Sequence, residues 1–285
     1  MSTPKDLLSL WLRRQLPPAA ISWLEEQLAR LAGAVADRDL YVALGLVPRK
    51  LGRDDLELAD GDLAQAQTVR PGWDPRGWSV DQAARIRILL AAGGSGERFA
   101  TRFVQLCRTA DVAEAIAFYR GLPLYPEPSL LEAQAAEGTR SNMRAVFEAV
   151  AHRNPYPREQ FSENRWNHMV LKALFVGSTL GPIQGLDERA NPALARMLCD
   201  YAHERWAAGR PVSPELWRCV GPFADEDALA DLQRALATGD ATERQAAALA
   251  LAACPAPKAK ALLAAAPELA AAIERGELSW DRLGR

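Results

Sequence analysis

Residues 154–223 read NPYPREQFSENRWNHMVLKALFVGSTLGPIQGLDERANPALARMLCDYAHERWAAGRPVSPELWRCVGPF, and this stretch decides the fold class. Ser162 is a good N-cap, because its hydroxyl can accept from the free amides of a first helical turn. At about 100° per residue, Trp166, Met169, Val170, Ala173 and Leu174 then share one apolar face, which Leu171, Phe175 and Val176 widen. Only Arg165, His168 and Lys172 remain on a polar arc. A helix this apolar predicts a central position with neighbours on most sides. Asn167 falls inside the apolar arc. A buried amide without partners costs roughly 1–3 kcal/mol, so Asn167 either ties two elements together or faces a polar pocket.

A second helix start follows at Asn191-Pro192, with Asn as cap and Pro at the first helical position. The helix is expected to run to about Ala208 and to end at Gly209. Leu194, Met197, Leu198, Tyr201 and Ala202 form its core stripe. Arg196, Asp200 and His203 form its solvated face. Arg205 projects into the apolar stripe, which predicts an acidic partner or a wet cavity, since an unpaired buried charge is too costly to keep. Asp187 and Glu215 flank the helix in sequence and are the expected partners, with Glu163 and Glu188 also available. Ser213-Pro214-Glu215 reads as a third helix start, with Glu215 in the positive first turn and Trp217 as anchor. Between the two long helices, residues 181–189 carry two glycines and a proline, a loop that brings Gln184, Asp187 and Arg189 to one end of them.

Outward from this core the chain keeps the same helical character. Thr3-Pro4 opens a short helix, and a longer one follows to about Arg30, with a possible break at Gly33 before its continuation to Leu46. Pro48 and Gly52 punctuate, and Asp54-Asp55 is expected to start a helix toward Val69. Residues 69–78 form a turn region with two tryptophans, after which Ser79 and Gln82 fit a capping box. Gly93-Gly94-Ser95-Gly96 follows a helix and lacks the Lys-Ser/Thr pair of a phosphate-binding loop, so it reads as a C-cap and turn. Helices are expected over 130–137 and 140–153. The alanine- and leucine-rich segment 224–275 reads as short helices joined by tight turns, and residues 278–283 either as a final turn packing Trp280 on the body or as a disordered tail. Period-two alternation is absent over any useful length. The fold class is therefore all-α, a multi-helix antiparallel bundle or solenoid resembling HEAT-type repeats. We expect one domain over 1–285, with an N-terminal half (1–150), a central region (151–223) and an alanine-rich tail (224–285).

Composition narrows the function classes. The chain has 285 residues, 49% of them hydrophobic and 25% charged, which is ordinary for a globular protein with a large core. A net charge of −2 argues against general nucleic-acid binding. No transmembrane run and no secretory signal are present, so a cytoplasmic location is expected. The four cysteines show no paired spacing and are expected as reduced, buried thiols. His203-Glu204-Arg205-Trp206-Ala207 opens like a zinc-protease motif, but Ala207 stands where the second imidazole is required. With three histidines in the chain, no metal site and no cofactor are expected. No nucleophile elbow is present either. The candidate ligand-binding residues are Asn167, His168, Lys172, Asp187, Arg189, His203, Arg205 and Glu215, with no catalytic set.

Several blocks in order, Asn154-Pro155-Tyr156, Trp166 to Phe175, Gly185 to Pro192, Leu194 to Leu198, Tyr201 to Arg210 and Pro214 to Arg218, closely resemble the EboA family. Arg70-Pro71-Gly72-Trp73, Trp78 and Asn142 to Phe147 match more loosely. The resemblance implies a bacterial gene cluster encoding enzymes similar to a prenyltransferase, a cyclase, a sugar-phosphate isomerase, a metal-dependent hydrolase and a nucleotide pyrophosphatase, associated with making or exporting a secondary metabolite. It carries over no catalytic residue. Three functions fit: a non-catalytic protein that binds a polar metabolite or a pathway enzyme; an enzyme acting on a cyclitol, sugar-derived or prenylated intermediate; and a scaffold whose tryptophans dock sister proteins.

Overall fold

The computed structural model describes residues 2–33, 36–92, 94 and 96–283. Among them the chain forms α-helices and short 3-10 turns and no strand, and its one isolated β-bridge joins Asp55 to Ser79. The backbone clusters into two compact units that meet at Ser162/Glu163, inside the 151–223 region. Gly93 and Ser95 of the glycine-rich link lie outside the described residues.

The first unit holds α1 (Pro4–Gln15), α2 (Pro18–Leu31), α3 (Asp37–Leu51), α4 (Asp60–Val69), α5 (Val80–Ala92), α6 (Gly96–Thr109), α7 (Val112–Arg120), α8 (Glu132–Thr139), α9 (Arg144–Ala151) and α10 (Tyr156–Gln160). α5 is its axis and packs against α1, α2, α3 and α7. Val80, Ala83, Ala84, Ile86, Ile88, Leu89 and Ala92 are all buried, so the helix is apolar on nearly every side. Its polar interior is one ion pair, Asp81 with Arg85, spaced i, i+4 and both buried. An inward charge pair of this kind contributes little net stability but penalises other registers of the helix. Beside it Trp11, Trp73 and Trp78 form a ladder with centroid spacings of 5.3 and 6.1 Å. Trp11 Nε1 donates to Asp62 Oδ1 at 3.1 Å, and Arg14 Nη2 reaches Asp62 Oδ2 at 2.6 Å.

Local signals fixed most helix starts. Thr3 with Asp6 and Asp111 with Glu114 complete reciprocal capping boxes. At Ser79 the box is half made: Gln82 accepts from the Ser79 amide at 3.3 Å, while Ser79 Oγ donates to Asp81 Oδ1 at 2.5 Å.

Three expectations are corrected by tertiary contacts. Pro48 sits inside α3 rather than ending it, and the helix runs on to Leu51 and stops at Gly52, whose φ is +85°. Buried Val47 and Leu51 anchor that last turn against the missing Pro amide. Asp54-Asp55 starts no helix. Leu56 N donates to Trp78 O at 2.8 Å and Val80 N to Asp54 O at 2.9 Å, so this segment is held extended until Asp60. The expected helix over 140–153 begins at Arg144 and ends at Ala151, because Arg153 takes a left-handed φ of +48°.

The second unit holds α11 (Glu163–Phe175), α12 (Pro192–Ala207), α13 (Trp217–Val220), α14 (Glu226–Thr238), α15 (Ala241–Ala253), α16 (Pro257–Leu263) and α17 (Pro267–Glu274). α15 is its centre, packed against α13, α14, α16 and α17. It buries Ala246, Ala247, Ala248, Leu249, Ala250 and Leu251, and small side chains let neighbouring backbones approach closely. At Gly221 a Cβ would fall 2.5 Å from the Ala250 carbonyl oxygen, so this contact needs glycine. α14 and α15 are joined by Gly239-Asp240, the short connection of antiparallel neighbours. Asp240 with Glu243 makes a capping box, and Asp225 caps α14. The tail ends in a 3-10 turn, Trp280–Arg282, after buried Leu278.

Candidate functional site

The start of α12 is built as expected: Asn191 Oδ1 accepts from Leu194 N at 2.8 Å and Pro192 follows. The partner that Asn167 requires is this same cap. Asn167 Nδ2 donates to Asn191 Oδ1 at 3.2 Å, and Asn191 Nδ2 donates to Asn167 Oδ1 at 2.9 Å. Asn167 is 3% exposed, so the amide pair is a buried latch between α11 and α12. Asn191 Nδ2 also donates to Arg189 O at 3.1 Å, which pins the incoming loop. The Arg189 guanidinium lies 4.6 Å from the Trp166 ring centroid. Burial lowers the Arg189 pKa, against the opposing pull of Glu163.

The other expected residues do not gather around this latch. Arg205 sits near the far end of α12, roughly 20 Å along the helix from the Asn191 cap. It is half-buried and donates Nε to Pro211 O at 2.9 Å instead of pairing with a carboxylate. Its expected partners are engaged elsewhere. Asp187 forms a two-bond fork with Arg218, both contacts at 2.7 Å, and raises the Arg218 pKa. Glu215 Oε2 accepts from Leu180 N at 2.9 Å. Ser213 makes no side-chain cap, and the segment after it is a 3-10 turn, Pro214–Leu216, leading into α13. His168 is exposed and its Nδ1 lies 2.8 Å from Asn164 O, one turn back. Lys172 lies over the Phe175 ring at 5.0 Å.

His203 is the expected site residue that lines a described groove. The groove has a volume of about 350 Å³ and is bounded by α12, the 220–225 connection and α14. His203 Nε2 lies 2.7 Å from Asp231 Oδ2, and its ring is tilted over Trp206 at 5.8 Å. Arg234 stacks on the same Trp206, 4.4 Å from the ring, and Trp217 backs it at 6.0 Å. Asp200, Asp225 and Asp227 add carboxylates to the wall, Arg196 a cation and Phe223 an apolar patch that is 38% exposed. Burial raises the Asp231 pKa, and His203 opposes that shift. Cys199, also on the wall, is pushed up to about 12, first by burial and then by the nearby aspartates. At neutral pH it is a thiol, not a thiolate nucleophile. The expected reduced cysteines are free thiols, with Cys219 and Cys254 buried and Cys107 and Cys199 half-buried.

Sequence reading placed His203 on a solvated face and did not find Asp231 or Asp227, because α14 reads as alanine-rich packing. A second cavity was also missed. It lies in the first unit, measures about 100 Å³, and is lined by Trp73, Asp74, Arg76, Trp78, Arg120, Glu148, Arg153 and others. Two tryptophans inside a Pro/Gly turn with flanking charges were its visible signal.

The fold and these polar openings define an all-helical protein with openings in both of its units. The family described as metabolite traffic protein EboA matches residues 4–221, more than half of the chain, and the chain belongs to that family. No curated protein and no solved structure matches it. Among the described residues no helix is long and apolar enough to cross a membrane, and no cluster of His, Cys, Asp and Glu is arranged to hold a metal.

Proposed function

We propose that this protein is a non-catalytic accessory factor of a bacterial secondary-metabolite biosynthesis or export pathway, and that it binds a polar metabolite in the His203 groove. The carrying observation is the groove itself. Its volume of about 350 Å³ is in the usual range for small-molecule sites. Its wall combines an imidazole oriented by Asp231, several carboxylate acceptors and the Phe223 ring. That lining suits a ligand rich in hydroxyl or amine donors, with one apolar edge. Asn167, Arg189, Asp187 and Glu215 serve the site indirectly, by holding the ends of the helices that carry it. We place the protein in the cytoplasm, where it would meet the pathway enzymes, and expect other proteins of the same gene cluster as partners.

The competing reading is an enzyme acting on a cyclitol, sugar-derived or prenylated intermediate. The His203–Asp231 pair favours it, since a carboxylate-oriented imidazole is a general base in form. Cys199 on the same wall, its pKa raised to about 12 chiefly by burial, is no ready thiolate for that scheme. The two readings separate on one experiment. The purified protein is incubated with extract of a strain lacking its gene, and bound and free small molecules are compared by mass spectrometry. Retention of an unaltered compound by the wild type, lost in His203→Ala, supports binding. A new product that needs His203 would overturn the non-catalytic reading. Fractionation of cells would test the location.

A further inference from the structure

We propose that the Trp73–Trp78 cavity in the first unit is a second ligand site, one that binds a compact anionic group, a carboxylate or a phosphate, between the guanidinium groups of Arg120 and Arg153. It shares no residue with the His203 groove and does not depend on that reading. Three guanidinium groups and two carboxylates line the cavity. The carboxylates are already matched. Asp74 is buried and is forked by Arg76, whose Nε lies 2.8 and 3.0 Å from its two oxygens. Glu148 accepts from Arg144 Nε at 2.6 Å. That leaves two cations. Arg120 donates to Gly77 O at 2.7 Å and to the Gln82 side chain, which are neutral acceptors. Arg153 makes no hydrogen bond or ion pair with the described residues.

The backbone holds this arrangement in place. Arg153 has a φ of +48°, a left-handed conformation that a side-chain-bearing residue adopts at a cost. The next residue locks it. Asn154 Nδ2 donates to Tyr119 O and to Ala149 O, both at 3.1 Å, and its Oδ1 accepts from Tyr156 N at 3.0 Å. The chain therefore turns sharply at a fixed point and sets Arg153 at the rim of the cavity that Arg120 lines. Burial and, next, the Arg153 charge push the Arg120 pKa down, against the opposing pull of Asp81 and Glu148. An anion between them relieves that repulsion, and a neutral ligand does not. Trp73, on the same wall, also has a buried indole N–H with no partner among the described residues. A volume of about 100 Å³ fits a head group, whereas a whole metabolite needs roughly 300 Å³ or more. The remainder of the ligand would leave on the side of Arg76 and Arg153, which are the exposed lining residues. Guanidinium pairs are the natural receptors for such oxyanions.

The test uses the full chain with inorganic phosphate, acetate and glycerol as probes at constant ionic strength. Trp73 and Trp78 flank the cavity, so intrinsic fluorescence is read alongside calorimetry. Saturable binding of phosphate or acetate, with no response to glycerol, is expected, and the tighter of the two anions identifies the head group. Arg120→Gln and Arg153→Gly are each expected to weaken it at least tenfold. Glycine suits the left-handed backbone, so R153G keeps the fold, which circular dichroism verifies. The inference is overturned if neither anion binds saturably, if glycerol competes equally, or if R153G binds as the wild type does. His203→Ala should leave anion binding unchanged, so failure here and failure of the groove reading are separate results.

Discussion

Truncating the two asparagines of the latch should have unequal effects, and the inequality follows from the bond pattern. Asn167 is 3% exposed and its amide meets only Asn191 among the described residues, through bonds of 3.2 and 2.9 Å. Asn191 keeps a second partner at each end: Leu194 N on the oxygen and Arg189 O on the nitrogen. In Asn167→Ala, two hydrogen bonds are lost and no Asn191 atom is orphaned, a cost of about 2 kcal/mol at roughly 1 kcal/mol per bond. In Asn191→Ala the helix cap goes, at about 1 kcal/mol. The buried Asn167 amide is also stranded, at roughly 1–3 kcal/mol. The sum is about 2–4 kcal/mol, centred near 3, despite Asn191 being the more exposed residue. The double variant should be milder than the sum of the singles by about 1 kcal/mol or more, since removing Asn167 removes the stranded group. Guanidinium-chloride unfolding of the three variants measures all terms, with Trp166, adjacent to Asn167, among the reporters. Equal costs for the two single variants, or strict additivity, would refute the latch.

Arg153→Gly should raise stability by about 0.5 kcal/mol, because relief of the left-handed backbone slightly exceeds the entropy glycine adds to the unfolded chain; a loss on thermal unfolding would contradict this. Asp62→Ala should cost about 3 kcal/mol by orphaning Trp11 Nε1 and uncapping Ala59 N, read from chemical denaturation. Arg14, through its hydrogen bonds, is the main cause that holds the Asp62 carboxyl below its ordinary value of 3.8. The folded state then binds fewer protons than the unfolded one in that range. The contribution is therefore complete above about pH 4 and disappears as pH falls through the lowered value. Asp62→Asn should flatten that acid limb in a pH series of unfolding midpoints. Cys107, Cys199 and Cys219 are raised to about 12, chiefly by burial, and should resist iodoacetamide at pH 8 in the folded protein while reacting once it is unfolded. Intact-mass measurement of adducts decides it.

Helical identity was legible because it rests on near neighbours. Asn191-Pro192, Asp111 and Asp240 state their helix starts within four residues, and each start stands where its cap does. The burial of Asn167 was legible for the same reason, from a wheel of apolar residues around it. Residues 52–59 were not, because their extended course is set by amides and carbonyls of Trp78 and Val80 and by Gln15, which donates to Asp55 O at 2.6 Å. Arg205 was misjudged by the wheel, since its long stem can lie on apolar surface while the head reaches a carbonyl in the following loop. The His203–Asp231 contact joins two helices, and the Arg120–Arg153 cavity joins the end of α7 to the turn after α9. No spacing rule encodes them, and only packing brings the partners together.

The family match stops at Gly221, yet Gly221 lies against the Ala250 backbone of α15 with no room for a Cβ. Trp217, Cys219 and Val220 on the matched side are buried, and α13 and the turn after it pack on α15. A truncation that ends at the match would lay bare an aromatic anchor and strip away one wall of the His203 groove, because Asp227 and Asp231 lie beyond it. The alanine-rich segment is thus a keystone of the second unit rather than an appendage. The stretch that kinship delimits and the stretch that folds have different ends.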